Sequence, residues 1–309
     1  MNANVILPAP VRALPTDDPE QILAFAADAM LQGVKVALAT LVAVRGGAAR
    51  SLGSQIAVAS DGRFCGYVSG GCVEAAVASE ALLAMSAGKD QIVKFGAGSR
   101  FFDIVLPCGG GITIAIHVLK DVSVILQTLE LLNKRLSAAL RYSPCGQILD
   151  LVPSGGRPRW IGGDFVTVYH PRPRILVCGE TVEAMAVASI GKAAGYDVVR
   201  TGQGRKEMSA SIDEFTAVVL LRHDLEAEQA TLNEALRSSA FYIGALGSTR
   251  THEKRVQRLQ ANGWSSTDID RIKAPIGVFG PTRDASSLAL SVMADVAASR
   301  LAASYEDRR

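Results

Sequence analysis

The chain has 309 residues, of which 49% are hydrophobic and 20% are charged, and its formal net charge is +2. This composition excludes intrinsic disorder for most of the chain, and the balanced charge argues against a dedicated nucleic-acid or membrane-surface binder. At about 150 residues per domain, we expect two domains.

The leader and the cysteines point to a cytoplasmic protein. Residues 1–20 contain prolines and acids but no apolar stretch long enough for a secretory signal, and no segment reaches the length of a transmembrane helix. The five cysteines are odd in number and form no CxxC pair, so neither a disulfide framework nor a zinc site is expected. We therefore expect reduced thiols and no membrane or nucleic-acid partner.

The first half of the chain alternates apolar runs with glycine-rich turns. Helical spacing predicts a helix over 20–32, and a long apolar run predicts a buried strand over 34–44. Asp61-Gly62, between two short apolar runs, predicts a β-hairpin. The other predicted elements of this half are a helix over 72–87 that ends at Gly88, a strand over 112–118, a helix over 121–140 and two strands within 146–170.

The second half has a different pattern. The segment HPRPR at 170–174 is typical of a linker, and after it strands and helices alternate as in a parallel α/β sheet. We therefore predict an α/β protein, with an N-terminal α+β domain over 1–172, linker included, and a Rossmann-like doubly wound parallel-sheet domain over 173–309. The Ala-rich final helix over 284–302 has more apolar faces than one core requires, which favours a homo-oligomer.

The segment SGGCVE at 69–74 is a candidate anion site. Two glycines before a helix allow curvature that leaves backbone N–H groups free for an anion, and the helix dipole assists. Cys72 is expected in the first helical turn, where the dipole favours a thiolate. The same pattern also fits a glycine turn with a buried cysteine packed as a small hydrophobe. The candidate residues of this segment are Ser69, Gly70, Gly71, Cys72 and Glu74.

Two further segments of this half carry candidate residues. Cys108 stands directly before Gly109 and Gly110, so that a bulky phosphate or a soft metal centre could approach both the sulfur and the backbone. A tight turn before the next strand explains the same glycines. Arg50 and Gly53 form a third candidate for anion contact, although a lone arginine in a loop is usually solvated.

The second half offers two places for a ligand. Gly247 and Ser248 follow a predicted strand where the carboxyl edge of a parallel sheet meets a helix, which is where ligands bind in such folds. The turn after the first strand has Gly179 but lacks the other glycines of a dinucleotide fingerprint, and the second strand ends at Arg200 where an acidic residue would hold a ribose. A Rossmann scaffold with an eroded pocket is therefore favoured over a competent NAD(P) site.

Taken together, these segments resemble the XdhC/CoxI family of accessory proteins for molybdenum hydroxylases. Several long blocks in the right order carry the resemblance, which runs through most of the chain. They are the Arg50-to-Gly53 loop, SGGCVEAAV at 69–77, FFDIVLPCGGG at 101–111, the arginine-proline-arginine segment at 172–174, YIGALGSTRTHEKRVQRL at 242–259, RIKAPIG at 271–277 and LALSVMADVAASR at 288–300.

The resemblance implies a molybdenum cofactor chaperone and not an enzyme. Such a protein binds the molybdopterin-based cofactor transiently, keeps it while a cysteine desulfurase supplies the sulfide that replaces an oxo ligand, and delivers it to an apo molybdenum hydroxylase of the xanthine dehydrogenase type. It implies that Cys72 and Cys108, with their glycine neighbours, are the best candidates for cofactor contact.

This sequence departs from the family pattern in its second domain. Related sequences keep a GAGH-like loop after the first Rossmann strand, where this chain has Gly179-Glu180-Thr181-Val182. Nucleotide binding by this domain is therefore in doubt. Two alternatives remain open at this point: an NAD(P)-dependent oxidoreductase or nucleotide-binding protein that uses the Rossmann-like domain, and a non-catalytic scaffold in which both sites are vestigial.

Overall fold

A computed structural model describes residues 7–96, 109–201, 212–222 and 224–306, with the side chains of 304–306 left aside. The chain divides into two compact units, Met1–Pro171 and Arg172–Arg309. Each unit has its own sheets and its own core.

The larger sheet of the first unit has six strands in the order β1-β4-β3-β2-β6-β5. All neighbouring strands are antiparallel except β1 and β4, which are parallel. The strands are β1 (Val11–Leu14), β2 (Val36–Arg45), β3 (Gln55–Ala59), β4 (Arg63–Gly66), β5 (Gln91–Gly96) and β6 (Gly111–Val118). The hairpin predicted from Asp61-Gly62 is confirmed, because β3 and β4 pair directly around it.

Helices cover both faces of this sheet. They are α1 (Pro19–Leu31), α2 (Glu74–Ala87) and α3 (Ser123–Asn133). Alternate residues of β2 point to opposite faces: Ala37 and Leu41 pack in the core that includes α2, while Val36 and Leu38 pack in the core that includes α1 and α3. A strand buried on both faces needs apolar residues throughout, which explains the unbroken apolar run of β2.

A second, four-stranded antiparallel sheet completes the first unit. Its order is β8-β7-β10-β9, with β7 (Ala138–Ser143), β8 (Ile148–Val152), β9 (Arg159–Ile161) and β10 (Asp164–Tyr169). The helix predicted over 121–140 is therefore wrong at its end, because α3 stops at Asn133 and Ala138 already pairs with Tyr169. Tertiary pairing overrides the local preference of the Ala-Ala-Leu run at 138–140. The two strands predicted within 146–170 are three.

The second unit is a doubly wound parallel sheet, which confirms the predicted Rossmann-like architecture. Its five strands run parallel in the order β12-β11-β13-β14-β15. Helices α4 and α8 pack in the core on one side, and α6 and α5 in the core on the other. The elements are β11 (Arg174–Cys178), α4 (Val182–Ala193), β12 (Asp197–Thr201), β13 (Thr216–Leu220), α5 (Leu225–Arg237), β14 (Tyr242–Ala245), α6 (Thr249–Ala261), α7 (Ser266–Ile269), β15 (Ile272–Lys273) and α8 (Ala285–Glu306).

Two buried carboxylates, Glu228 and Asp295, join elements of the second unit. Arg255 of α6 donates through Nε to Glu228 of α5 over 2.5 Å, and both side chains are almost wholly buried. On the other side, Asp295 of α8 accepts hydrogen bonds from the Tyr242 hydroxyl and from Lys273. Among the described residues, no helix is long and apolar enough to span a membrane.

The first unit contains a buried pair that predicts a pH dependence of stability. Asp90 accepts hydrogen bonds from Nδ1 of His117 (2.6 Å), from the Val118 N–H (2.9 Å) and from the Tyr142 hydroxyl. Burial raises the pKa of Asp90, but these bonds outweigh it and hold the pKa below its ordinary value. A lowered pKa means that the ionised carboxylate contributes stability above its unfolded-state pKa of about 3.9, and that this stability is lost as pH falls through the folded-state pKa.

We therefore expect Asp90→Asn to lower the free energy of unfolding at neutral pH by about 2–4 kcal/mol, because an amide accepts fewer hydrogen bonds and leaves buried donors unpaired. Urea unfolding of both proteins from pH 7 downwards measures the difference, which should shrink below about pH 4 as Asp90 itself becomes protonated. A difference that stays constant down to pH 3 would contradict this role for the carboxylate.

Candidate functional site

Three glycine-rich segments of the first unit meet at one end of the strands of the six-stranded sheet. The antiparallel register places Gly111, at the start of β6, opposite both Arg45 at the end of β2 and Gly96 at the end of β5. It also places Gly66, at the end of β4, beside Ile56 near the start of β3. Loops 46–54 and 67–73 and residues 109–110 therefore leave the sheet on the same side. We call these three segments the glycine edge.

The backbone of loop 46–54 touches both other segments. A Cβ atom on Gly110 would lie 2.5 Å from the carbonyl oxygen of Arg45 and 2.6 Å from that of Gly47, so this backbone approach requires a residue without a side chain. On the other side, a Cβ atom on Gly70 would lie 3.6 Å from Cβ of Ala49, an ordinary contact. The structure thus brings together three segments that are separated in sequence by strands, in the spatial order 67–73, 46–54 and 109–110.

Glu74 holds loop 67–73 in shape. Its carboxylate, at the first residue of α2, accepts hydrogen bonds from the N–H groups of Val68 (3.3 Å), Ser69 (2.8 Å) and Val73 (3.2 Å), and from the Ser69 hydroxyl (2.9 and 3.0 Å). Glu74 is 1% exposed, and these hydrogen bonds of its carboxylate are all made to this loop. The side chain is therefore placed to position the loop.

Cys72 does not lie in the first turn of α2, as the sequence had predicted. The N-cap of the helix is Val73 and the helix begins at Glu74, so the cysteine precedes both. The reason is that the carboxylate of Glu74 draws the N–H groups of loop 67–73 inward before the helix starts. The thiol is exposed, and its sulfur lies 3.8 Å from the Ser69 hydroxyl.

The outer side of this loop keeps hydrogen-bond donors available. Gly70 and Gly71 are exposed, and the Gly71 N–H is bonded to the Ser69 hydroxyl at 3.3 Å. Among the described residues, the N–H groups of Gly70 and Cys72 have no acceptor. Free N–H groups on a curved backbone are suited to an anion such as a phosphate.

Arg50 brings positive charge to the same loop. Its Nε donates to the carbonyl oxygen of Ser69 over 3.4 Å, and its terminal nitrogen forms a 2.6 Å ion pair with Asp17. The guanidinium lies 5.4 Å from the ring centroid of Tyr67. Arg50 is therefore held against loop 67–73 and is not a freely solvated side chain.

Sequence reasoning missed other residues of this region. The Arg12 guanidinium lies 4.2 Å from the same Tyr67 ring and donates to the carbonyl oxygen of Gly66 over 3.0 Å. The Arg45 side chain lies against Gly111. One signal could have found Arg45: an arginine followed by two glycines directly after a long buried strand.

The remaining candidates have different surroundings. Gly53 has a φ of +85°, and a Cβ atom there would lie 2.8 Å from Pro158, so this glycine serves the packing of its own turn against loop 153–158. Cys108 lies outside the described residues. Gly247 and Ser248 belong to the second unit, where Ser248 is the N-cap of α6 and its hydroxyl accepts from the Thr251 N–H at 3.3 Å.

The second unit has a cleft at the place where dinucleotide-binding folds hold a diphosphate, but its walls are unfavourable for that group. This cleft, of about 240 Å³, lies after β11 and β13, with Gly179, Glu180 and Asp224 in its wall. The N-terminus of α4 is capped by its own Thr181, whose hydroxyl accepts from the Ala184 N–H. The helix start is therefore already capped, and the two carboxylates of the wall outnumber its one cation, Arg222, so the cleft is poorly suited to the anion that dinucleotide enzymes bind at this position.

The described cysteines divide into two chemical classes. Burial raises the pKa of the Cys65 thiol to about 12 and that of the Cys178 thiol to about 11, whereas Cys72 and Cys145 are exposed. Because the thiolate is the reactive form, we expect iodoacetamide at about pH 8 to alkylate Cys72 and Cys145 within minutes, and Cys65 and Cys178 only after unfolding. Peptide mass spectrometry checks this, and early labelling of Cys65 would contradict it.

These features define a class: an α+β unit with a glycine-rich, arginine-bearing sheet edge, followed by a Rossmann-type unit. Residues 29–96 match the XdhC and CoxI family, and residues 175–296 match the XdhC Rossmann domain. The chain is 47% identical over 292 residues to the molybdenum cofactor insertion chaperone PaoD of Escherichia coli K12, with 94% of this chain and 92% of that protein covered. The protein belongs to the XdhC and CoxI family, which confirms the resemblance found in the sequence.

A solved structure has the same fold. The crystal structure of a xanthine dehydrogenase from Bacillus halodurans superposes with a TM-score of 0.72 at 17% identity, and the match covers 92% of this chain and 96% of that chain. At this identity the likeness shows the architecture alone. Among the described residues, no cluster of three or more His, Cys, Asp or Glu side chains could hold a metal ion.

Proposed function

We propose that this protein is a molybdenum cofactor chaperone that binds its cargo at the glycine edge. The observation that carries the proposal is the convergence of Arg50, the free N–H groups of Gly70 and Cys72, and the exposed Cys72 thiol on one loop. The 47% identical relative is named a molybdenum cofactor insertion chaperone, which supports the same role here.

The residues of the glycine edge fit the chemistry of such a cargo. The cofactor carries a phosphate, for which backbone N–H groups and an arginine are suitable partners. Its molybdenum dithiolene is a soft centre, near which a thiol such as that of Cys72 is suitable. Glu74 and Ser69 shape the loop from within, and the exposed Gly109 leaves open backbone at the neighbouring segment.

The proposal extends to the partners that the family resemblance implies. The cargo is held while a cysteine desulfurase supplies sulfide, and it is then delivered to an apo molybdenum hydroxylase of the xanthine dehydrogenase type in the cytoplasm. The chain performs no chemical step in this scheme. Co-purification of a tagged chain with such a hydroxylase, in the apo form only, tests the delivery step.

The residues that line the cleft of the second unit argue against the alternative of an NAD(P)-dependent oxidoreductase. An N–H group at the start of α4 is bonded to Thr181, and the carboxylates of Glu180 and Asp224 outweigh the single cation of the cleft, Arg222. Saturable binding of NADH or NADPH at micromolar concentration, followed by fluorescence, would favour that alternative.

The first experiment is the molybdenum and pterin content of the full chain, purified without oxygen from cells that make the cofactor. We expect a pterin signal near one per chain. Cys72→Ala should lower it, while Cys145→Ala, which removes an equally exposed thiol far away in sequence, should leave it unchanged. A wild-type protein without pterin would contradict the proposal, and equal loss in both variants would contradict the assignment of Cys72.

A further inference from the structure

Another cavity lies at the opposite end of the strands of the six-stranded sheet from the glycine edge. Strand β6 starts at the glycine edge with Gly111 and reaches His117 six residues later, about 20 Å away at the rise of a β-strand. The cavity has a volume of about 580 Å³, within the range of small-molecule sites. Its wall is formed by the end of β6, the first turns of α3 and the β7–β8 hairpin. It is therefore separate from the proposed cofactor site.

His117 is the polar group in this wall whose orientation is most firmly held. Its side chain is 7% exposed, and its ring packs at 5.3 Å from the ring of Tyr142. Nδ1 lies 2.6 Å from the carboxylate of Asp90, whose own side chain is 4% exposed. An ionised carboxylate can only accept, so Nδ1 carries the hydrogen, and in the neutral imidazole Nε2 is the acceptor left for another partner.

The support of His117 extends beyond Asp90 itself. The Val118 N–H donates to the second carboxylate oxygen over 2.9 Å, and the Asp90 N–H donates to the side chain of Gln147 over 2.9 Å. Gln147 lines the cavity and has a φ of +51°, a conformation rare for a residue with a side chain. The positive φ of Gln147 belongs to the turn between β7 and β8, and the feature of this wall that is suited to binding is the histidine whose ring orientation is fixed by hydrogen bonds.

The charged groups of the wall neutralise one another. Arg141 pairs with Asp150 at 3.1 Å, and Lys120 donates to the carbonyl oxygen of Gln147 at 2.9 Å. Asp121 accepts from both the N–H and the hydroxyl of Ser123. With two cations and two carboxylates in the wall, the cavity has no net charge with which to attract an ion. The uncharged part of the wall comprises the apolar side chains of Leu119, Val124, Ile148, Leu149 and Leu151 together with the amide of Gln127.

We propose that this cavity binds an uncharged, planar heteroaromatic molecule, one N–H or O–H group of which donates to Nε2 of His117. The apolar walls accept the faces of such a ring system. The paired side chains of Arg141 and Asp150 offer a donor and an acceptor side by side for its polar edge. The site is independent of the cofactor site, so the failure of one proposal leaves the other standing.

Titration of the full chain with benzimidazole, an uncharged ring system with one N–H, tests the proposal. We expect saturable binding with a Kd below about 1 mM and a change of the His117 nitrogen resonances in proton–nitrogen spectra. N-methylbenzimidazole has the same rings but no N–H, and we expect it to bind about fivefold more weakly, since a hydrogen bond is worth about 1 kcal/mol. This comparison uses the wild-type protein and needs no variant.

A second test measures benzimidazole binding to the variant His117→Asn. An asparagine amide can still donate to Asp90 but has no atom at the position of Nε2, so we expect stability close to wild type and benzimidazole binding about fivefold weaker. The matched control is His170→Asn, which changes an exposed histidine bonded to Ser137 and should leave binding unchanged. Absence of saturable binding, equal affinity for the methylated probe, or equal affinity of His117→Asn would each overturn the proposal.

Discussion

Replacing Glu74 by alanine is expected to abolish cofactor retention and to lower the free energy of unfolding by about 3 kcal/mol. The carboxylate accepts from three N–H groups and one hydroxyl of loop 67–73, and its loss leaves these donors buried without an acceptor. The loop then loses the curvature that exposes the Gly70 and Cys72 N–H groups. Urea unfolding and the pterin content of the purified chain measure the two effects.

A matched control is available on the same helix. Glu80 of α2 is also buried, at 8% exposure, and accepts a hydrogen bond from Gln91, away from the loop. Glu80→Ala should lower stability but leave the pterin content per folded chain unchanged. If both variants retain the cofactor equally well, Glu74 has no positioning role and serves the fold alone.

Replacing Gly110 by alanine is expected to lower the stability of the chain and to reduce its cofactor content strongly. Replacing Gly70 by alanine is expected to leave the stability nearly unchanged. The Cβ atom added at Gly110 would lie 2.5 Å from the Arg45 carbonyl oxygen and 2.6 Å from that of Gly47, so loop 46–54 must move away. Overpacking of this kind costs about 1–3 kcal/mol. At Gly70 the added Cβ would be 3.6 Å from Cβ of Ala49, and nothing needs to move.

Thermal unfolding and pterin analysis of both variants measure this contrast. The displaced loop 46–54 bears Arg50, whose bond to the Ser69 carbonyl oxygen joins it to loop 67–73, so Gly110→Ala should weaken binding at both segments. Equal stability and equal cofactor content of the two variants would show that the close approach of Gly110 to loop 46–54 does not matter for the site.

Much of the candidate site could be predicted from local sequence. Residue type and spacing point to Arg50, Ser69 and Gly70 as candidates for anion contact. The structure joins Arg50 directly to Ser69. The role of Glu74 could not be predicted in this way. The sequence places a glutamate at a helix start, where it is expected to interact with the dipole, whereas its carboxylate turns back to the preceding loop. That choice depends on burial of the side chain.

The errors in the predicted fold have the same origin. Residues 138–140 have a helical preference, but they pair with β10 and form a strand instead. Cys72 was expected within α2 because glycines often precede a helix directly, yet the bonds to Glu74 delay the helix by two residues. In both cases a contact with another segment decides between two local conformations of similar energy.

The sequence by itself determined the α/β class, the parallel second sheet, the hairpin at Asp61-Gly62 and, through its long motif blocks, membership of the XdhC and CoxI family. The tertiary structure decided which segments meet at the glycine edge, which cysteines are exposed, and that His117 is fixed by Asp90 in a separate cavity. The physical reason is that the periodicity of apolar residues encodes the type of each element. Contacts between distant loops depend instead on strand order and register, which arise only when the whole sheet packs its core.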